Sequence, residues 1–283
     1  MSFELHSGDK IPLIGLGTYM VEGFARTRDV LDHALSVGYR LFDTAKMYQN
    51  EVHIGAALKD LLPKYNLQRK DIFITTKLLP SDHGEKAYDA ILESLTKLDC
   101  EYIDLYLIHW PGSYVVSDWK IPKLRLESWK QMVKAQREGL VRNIGVSNYA
   151  VRHLKELFNN AEGVLPAVNQ IEWHPFYHPN DVLDFCKENN ILVQAYMPLG
   201  SGSKGLLNEP QIKKVATELR KTSAQVILKW SIQQGVGVIP KAVQEAHMEE
   251  NFNLDFTIPD GAMYELSNIK KRLKYDWDPE GIP

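Results

Sequence analysis

Asp43, Lys77 and His109 each close a short apolar run, and Tyr48 follows Asp43 across one short loop. A carboxylate, an ammonium, an imidazole and a phenol gathered at one place are equipment for general acid–base catalysis. A free phenol ionises near pH ~10, too high for easy proton transfer at neutral pH, and a nearby ammonium is expected to lower that value. Tyr48 then reads as the proton donor, with Lys77 supplying the charge and Asp43 holding it in place as counter-ion. His109, taken as neutral, hydrogen-bonds the oxygen that receives the proton. Each residue also has a structural explanation: Asp43 as a helix cap, Lys77 as a solvated surface lysine, Tyr48 and His109 as core residues with satisfied polar tips. Their joint placement at the ends of independently assigned strands favours a site.

The elements that must position them alternate. Eight strand-like runs fall at 14–18, 41–45, 72–77, 104–109, 141–146, 167–171, 192–196 and 236–240. Between them lie stripes at helical spacing, such as Val30, Ala34 and Val37, then Ile54, Leu58 and Leu61, then Tyr88, Ile91, Leu95 and Leu98, then Val151, Leu154 and Phe158. Two helices, 210–219 and 224–233, separate the last two strands, with Thr222 or Ser223 available to cap the second. Ahead of the first strand, residues 3–12 read as a hairpin turning at Ser7-Gly8-Asp9. Strict alternation of strand and helix predicts an α/β fold, a (β/α)₈ TIM barrel with an N-terminal β-hairpin and extra helices in the C-terminal half. No linker-like stretch divides the chain, so residues 1–283 are read as one domain. In such a barrel the loops after the strands build the site, and Ser147, Asn148, Gln170, Tyr196 and Lys241 follow the same rule as the first four residues. The rival fold, an open dinucleotide-binding sheet, wants a third glycine that Gly15-Leu16-Gly17-Thr18-Tyr19-Met20 lacks.

Composition narrows the function classes. Lys and Arg number 33 against 36 Asp and Glu, a net charge of −3 that gives no electrostatic case for nucleic acid or an anionic membrane. Cys100 and Cys186 form no CxxC pair and read as buried, inert thiols in a reducing compartment, so a cytoplasmic location is expected. No apolar run approaches the ~20 residues of a membrane span. A metal site in His109, His174 and His178 is disfavoured because Pro175 and Pro179 break the helix that an i, i+4 pair would need.

The motifs resemble the aldo-keto reductase family, in order and over nearly the whole chain. They are Asp43-Thr44-Ala45-Lys46-Met47-Tyr48, Thr76-Lys77-Leu78, Leu107-Ile108-His109-Trp110-Pro111, Gly145-Val146-Ser147-Asn148-Tyr149, Val168-Asn169-Gln170-Ile171-Glu172, Ala195-Tyr196-Met197-Pro198-Leu199-Gly200 and Ile239-Pro240-Lys241. The resemblance implies an NADPH-dependent enzyme that reduces carbonyl groups, working as a monomer on small molecules. It puts the catalytic tetrad on Asp43, Tyr48, Lys77 and His109. It gives Ser147, Asn148 and Gln170 the nicotinamide carboxamide, Tyr196 the ring face, and Glu250 and Asn251 the adenine. Carbonyl reduction suits these residues, because hydride arriving at carbon leaves negative charge on an oxygen that a proton donor and fixed dipoles must meet. Some chains of this fold instead serve as cofactor-binding regulatory or structural proteins, which the intact tetrad argues against.

The chain departs from the family pattern after Lys241. Ala242 stands where a serine is common and His247 where an arginine is, at the positions that hold the 2′-phosphate distinguishing NADPH from NADH. Arginine donates a planar fork and stays charged, whereas a histidine has an ordinary pKa near ~6.5. NADPH is therefore expected to be preferred by a reduced margin, with NADH tolerated and the margin fading as pH rises. Tyr19 and Trp110 are expected to line an aromatic substrate pocket. Short loops at 111–126 and 200–205, and an end soon after Asp278, predict an open mouth and broad specificity for small carbonyl compounds.

Overall fold

The computed structural model describes residues 1–114, 116–160 and 162–283. The predicted hairpin is present: β1 (Ser2–Glu4) pairs antiparallel with β2 (Lys10–Pro12), and Gly8 takes the positive φ of 87° that its turn requires. Eight parallel strands follow: β3 (Leu16–Gly17), β4 (Leu41–Asp43), β5 (Phe73–Leu78), β6 (Ile103–Ile108), β7 (Val141–Ser147), β8 (Val168–Glu172), β9 (Leu192–Tyr196) and β10 (Gly237–Val238). They pair in sequence order, and bridges Ile14 to Val238 and Gly17 to Lys241 join the first to the last. Helices flank the strands: α1 (Phe24–Val37), α2 (Glu51–Lys64), α3 (Lys86–Leu98), α4 (Ile121–Arg137), α5 (Val151–Asn160), α6 (Asn180–Glu188), α7 (Lys204–Leu207), α8 (Pro210–Leu219), α9 (Ser223–Gln233), α10 (Glu245–Phe252) and α11 (Asp260–Ser267). This is the expected (β/α)₈ barrel.

The two seam strands are shorter than their apolar runs predict, two residues each in place of five. Pro240 has no N–H to donate, and only isolated bridges span the seam. Close approach there explains the GxG pair. A Cβ on Gly17 would stand 2.8 Å from the Ile239 carbonyl oxygen, and one on Gly15 2.0 Å from Leu41 Cδ2. Gly17 lets backbones meet at the seam, and Gly15 leaves room for the Leu41 side chain. The expected cap before α9 is Thr222, whose Oγ1 accepts from Gln225 N at 3.1 Å while Gln225 Oε1 accepts from Thr222 N at 3.1 Å.

Strand alternation sorts side chains into two cores. Ile74, Ile108, Ile144, Val146, Ile171 and Val193 pack outward beneath the helices. Leu41, Phe73, Leu105, Leu107, Val168 and Leu192 fill the interior, together with Leu5 and Ile11 from the hairpin segment. The hairpin thus closes one end of the barrel, and it is tied there by Ser7 Oγ donating to Asn143 Oδ1 at 2.7 Å and Asn143 Nδ2 donating to Asp9 Oδ2 at 2.9 Å. At the other end the same inward parity delivers Asp43 two residues after Leu41, Lys77 four after Phe73 and His109 two after Leu107. It delivers Gln170 and Glu172 after Val168, and Gln194 and Tyr196 after Leu192. Apolar residues low on each strand become polar ones at its C-terminal end. Among the described residues, no helix is long and apolar enough to cross a membrane.

Candidate active site

The residues at those strand ends are bonded to one another. Lys77, wholly buried, donates from Nζ to Asp43 Oδ1 at 2.6 Å and to the Thr44 carbonyl at 2.9 Å, and lies 3.4 Å from the Tyr48 hydroxyl. Its ammonium also stands 4.9 Å from the Tyr48 ring centre. Gln170 Nε2 donates to the other Asp43 oxygen at 2.8 Å and to Gln194 Oε1 at 2.8 Å. Both Asp43 oxygens are therefore held, and the Gln170 oxygen is left as an acceptor. Tyr48 lies in the one-turn helix Lys46–Tyr48 after β4, its ring 5.1 Å from Tyr19 and 5.9 Å edge-on from His109.

Charge in this cluster is set by burial. It pushes the Asp43 carboxyl up and the Lys77 amine down, toward their neutral forms, and their contact opposes it. Burial, then Lys77 and His83, hold the His109 imidazole well below its ordinary range, so it is neutral near pH ~7. Its buried Nδ1 has no hydrogen-bond partner. The expected lowering of the Tyr48 pKa is overturned. Burial, then the neighbouring Asp43, Tyr19 and Asp276, keep that phenol well above its usual value. Lys77 is committed to Asp43 at 2.6 Å, so a nearly neutral pair faces the hydroxyl across a longer gap. The consequence is a phenol that keeps its proton.

A cavity of about 770 Å³ opens over the cluster, within the ordinary size range of small-molecule and cofactor sites. Of the residues expected from sequence, Asp43, Tyr48, His109, Tyr19, Trp110, Asn148, Gln170, Tyr196, Lys241, His247, Glu250 and Asn251 all line it. Two do not. Lys77 lies beneath Asp43 and Tyr48, and Ser147 turns its hydroxyl to the Gln170 carbonyl at 2.8 Å. Asn148, at a left-handed φ of 63°, donates to the His109 carbonyl at 3.0 Å and accepts from the Tyr196 hydroxyl at 2.7 Å. This backbone region is accessible to asparagine and strained for most other side chains.

At its far end the cavity reaches Thr222, Ser223 and Ala224 at the start of α9, with Lys213, Lys241 and His247 around them. Backbone N–H groups at a helix N-terminus favour a phosphate. Lys241 and His247 are exposed, Ala242 is buried, and Glu250 accepts a hydrogen bond from Thr222. A cleft with an amide acceptor and an aromatic ring beside the Tyr48 cluster, and with cations beside a helix start, fits a nicotinamide dinucleotide. His174 and His178 are engaged elsewhere. The first bonds Glu172 Oε1 at 2.9 Å, and the second packs on Trp173 and Trp230. The Cys100 and Cys186 thiols are pushed up by burial, to about 11 and about 12.

The sequence reading missed the C-terminal segment. Glu172 Oε1 accepts from Tyr275 N at 2.6 Å, and its Oε2 accepts from Lys274 Nζ at 2.9 Å and Asp276 N at 2.9 Å. Burial raises the Glu172 pKa, but His174, the Tyr275 amide and Lys274 outweigh it and bring the carboxyl to about 2. The clasp sets Trp277 beside Trp110, ring centres 5.7 Å apart, and brings Asp276 and Trp277 into the cavity wall. The predicted open mouth is therefore partly covered by the end of the chain. Glu172 was legible, since it shares inward parity with Gln170. Residues 274–277 carry no periodic signal.

Residues 13–271 match the sequence pattern of the Aldo/keto reductase family. The chain is 36% identical over 281 residues to the 9,11-endoperoxide prostaglandin H2 reductase of Trypanosoma cruzi, covering 98% of this chain and 94% of that protein. It is 35% identical over 280 residues to the methylglyoxal reductase DkgA of Escherichia coli K12, covering 98% and 96%. A crystal structure of an aldo-keto reductase complexed with NADPH superposes with a TM-score of 0.89 at 29% identity, over 98% of this chain and 90% of that one. Fold, site order and sequence agree, and the chain belongs to the aldo/keto reductase family.

Proposed function

We propose that this protein is an NADPH-dependent reductase that converts small aldehydes and ketones to alcohols, with Tyr48 as its proton donor. The observation that carries this reading is the convergence of Asp43, Lys77, Tyr48 and His109 at one end of a cofactor-sized cavity, with Lys77 Nζ 2.6 Å from Asp43 and 3.4 Å from the Tyr48 hydroxyl. Relatives named as reductases of a prostaglandin endoperoxide and of methylglyoxal support it, as does the related structure complexed with NADPH.

Bound NADPH supplies the hydride. Gln170, its amide N–H groups committed to Asp43 and Gln194, offers Oε1 to a carboxamide N–H. Asn148 fixes the Tyr196 ring by accepting from its hydroxyl, and that ring provides the stacking face. Ser147 supports Gln170 from behind. At the far end, the start of α9 suits a phosphate, Lys241 and His247 the 2′-phosphate, and Glu250 and Asn251 the adenine. Toward the substrate, Tyr48 holds its proton until negative charge develops on the carbonyl oxygen, and neutral His109 donates a hydrogen bond to the same atom. The Lys77 ammonium then stabilises the phenolate left behind. Tyr19, Trp110 and Trp277 form apolar walls that suit an apolar group beside the carbonyl without specifying one.

The test is NADPH oxidation with 4-nitrobenzaldehyde, followed together with alcohol formation. One alcohol per NADPH consumed is expected. NADPH binding with no turnover of this or any other activated aldehyde would instead mark a cofactor-binding protein.

A further inference from the structure

Asp276 is a carboxylate in the wall of the cavity that holds Tyr48, and its main-chain position is fixed, since its amide donates to buried Glu172 at 2.9 Å. Among the described residues it forms no ion pair; its Oδ1 accepts from the following amide of Trp277 at 2.8 Å, and the neutral Tyr196 phenol is its other side-chain neighbour. The cations lining the cavity are elsewhere. Lys213 lies on α8, His247 on α10 and Lys241 after β10, at the end assigned above to phosphates. Lys77 is buried and neutralised by Asp43. The charges around Asp276 are mixed, Lys274 lying two residues before it and carboxylates after it. Asp278 and Glu280 follow it, and the Tyr177 phenol nearby is raised to about 12 by burial and then by Asp278, Glu172 and Glu280. Glu172 is matched by Lys274 and Glu280 by Arg152, which leaves Asp276, among the described residues, as the carboxylate without an ion pair at the Tyr48 end of the wall, Glu250 lying at the other end.

We propose that Asp276 selects substrates by charge, favouring carbonyl compounds that carry a cationic group, such as aminoaldehydes, and disfavouring those that carry a carboxylate. The inference rests on the reductase reading and names the substrate class of the same site. A fixed carboxylate attracts a cation and repels an anion in a cleft partly screened from solvent, and the two effects add when substrates of opposite charge are compared. Discrimination between substrates is the ratio of their kcat/KM values.

The experiment compares 4-(trimethylammonio)benzaldehyde, 4-carboxybenzaldehyde and neutral 4-nitrobenzaldehyde in wild type and Asp276→Asn. Ring electronics differ among the three but are identical in both proteins, so the cationic-to-anionic kcat/KM ratio is compared between proteins. A fall of about tenfold in that ratio is expected in Asp276→Asn, from KM rather than kcat, and the wild-type ratio should shrink with added salt. A ratio that is the same in both proteins, or one insensitive to salt, overturns the proposal. The neutral aldehyde separates the two readings. Its turnover without charge selection sinks this proposal alone, whereas no turnover of any of the three sinks the reductase reading and this proposal together.

Discussion

The two ends of the cavity are built differently. At the Tyr48 end, Asp43, Lys77, His109 and Gln170 are buried on strands or at their ends, and hydrogen bonds join Lys77, Asp43 and Gln170. At the His247 end, Lys241 and His247 are exposed on a loop and a helix. The first arrangement fixes geometry for chemistry, because a side chain there cannot move without breaking its neighbours. The second leaves recognition adjustable, because an exposed side chain can change at small energetic cost. Substitutions at the two ends should differ in kind as well as size.

Lys77→Met should have the largest effect. It leaves Asp43 buried without its counter-ion, and breaking such a pair destabilises by about 3–5 kcal/mol. Turnover should also fall by about a hundredfold or more, since the charge that supports proton transfer is gone. Urea unfolding and steady-state kinetics on the same preparation measure both. A fall in stability with activity retained would separate Lys77 from the chemistry.

Glu172→Gln comes next, because it removes the charge that meets His174 and Lys274 and weakens the clasp on the chain end. A loss of about 1–3 kcal/mol is expected near neutral pH, the range for stranding buried polar partners. The pH dependence has a definite sign. Glu172 is lowered from an ordinary 4.5 to about 2, so its contribution is complete above about 4.5 and is lost as pH falls toward about 2. The difference in urea midpoint between wild type and Glu172→Gln should therefore shrink below pH ~4.5. A constant difference would mean that Glu172 is not held ionised by the clasp.

His247→Arg should have the smallest effect and leave chemistry alone. A guanidinium at that exposed position should raise the NADPH-to-NADH ratio of affinities about threefold to tenfold, as one additional charge-assisted contact allows. An unchanged ratio in direct binding measurements would place the phosphate elsewhere, with Lys213 the next cation along the wall.

Much of this contrast was legible in the sequence. Their positions at strand ends placed Asp43, Lys77, His109, Gln170 and Tyr196 at one rim, and in the structure two-residue alternation above Leu41, Phe73, Leu107, Val168 and Leu192 turns them into the barrel mouth. The direction of the Tyr48 shift was not legible, because it depends on how far Lys77 is committed to Asp43, a tertiary distance. Nor was the strap at 274–277, whose backbone is held by a side chain about a hundred residues away in sequence and has no regular pattern of its own. The far end was legible as a departure, His247 in place of arginine, but not in its exposure.

The central claim is that Tyr48 delivers the proton, and Tyr48→Phe tests it most directly. The variant keeps the ring that packs on Tyr19 and His109 and removes only the hydroxyl. NADPH affinity by fluorescence quenching and kcat with 4-nitrobenzaldehyde should be measured together. The account predicts affinity close to wild type and a kcat lower by at least about a hundredfold, the usual scale of a general acid. Near-wild-type turnover in this variant would contradict it.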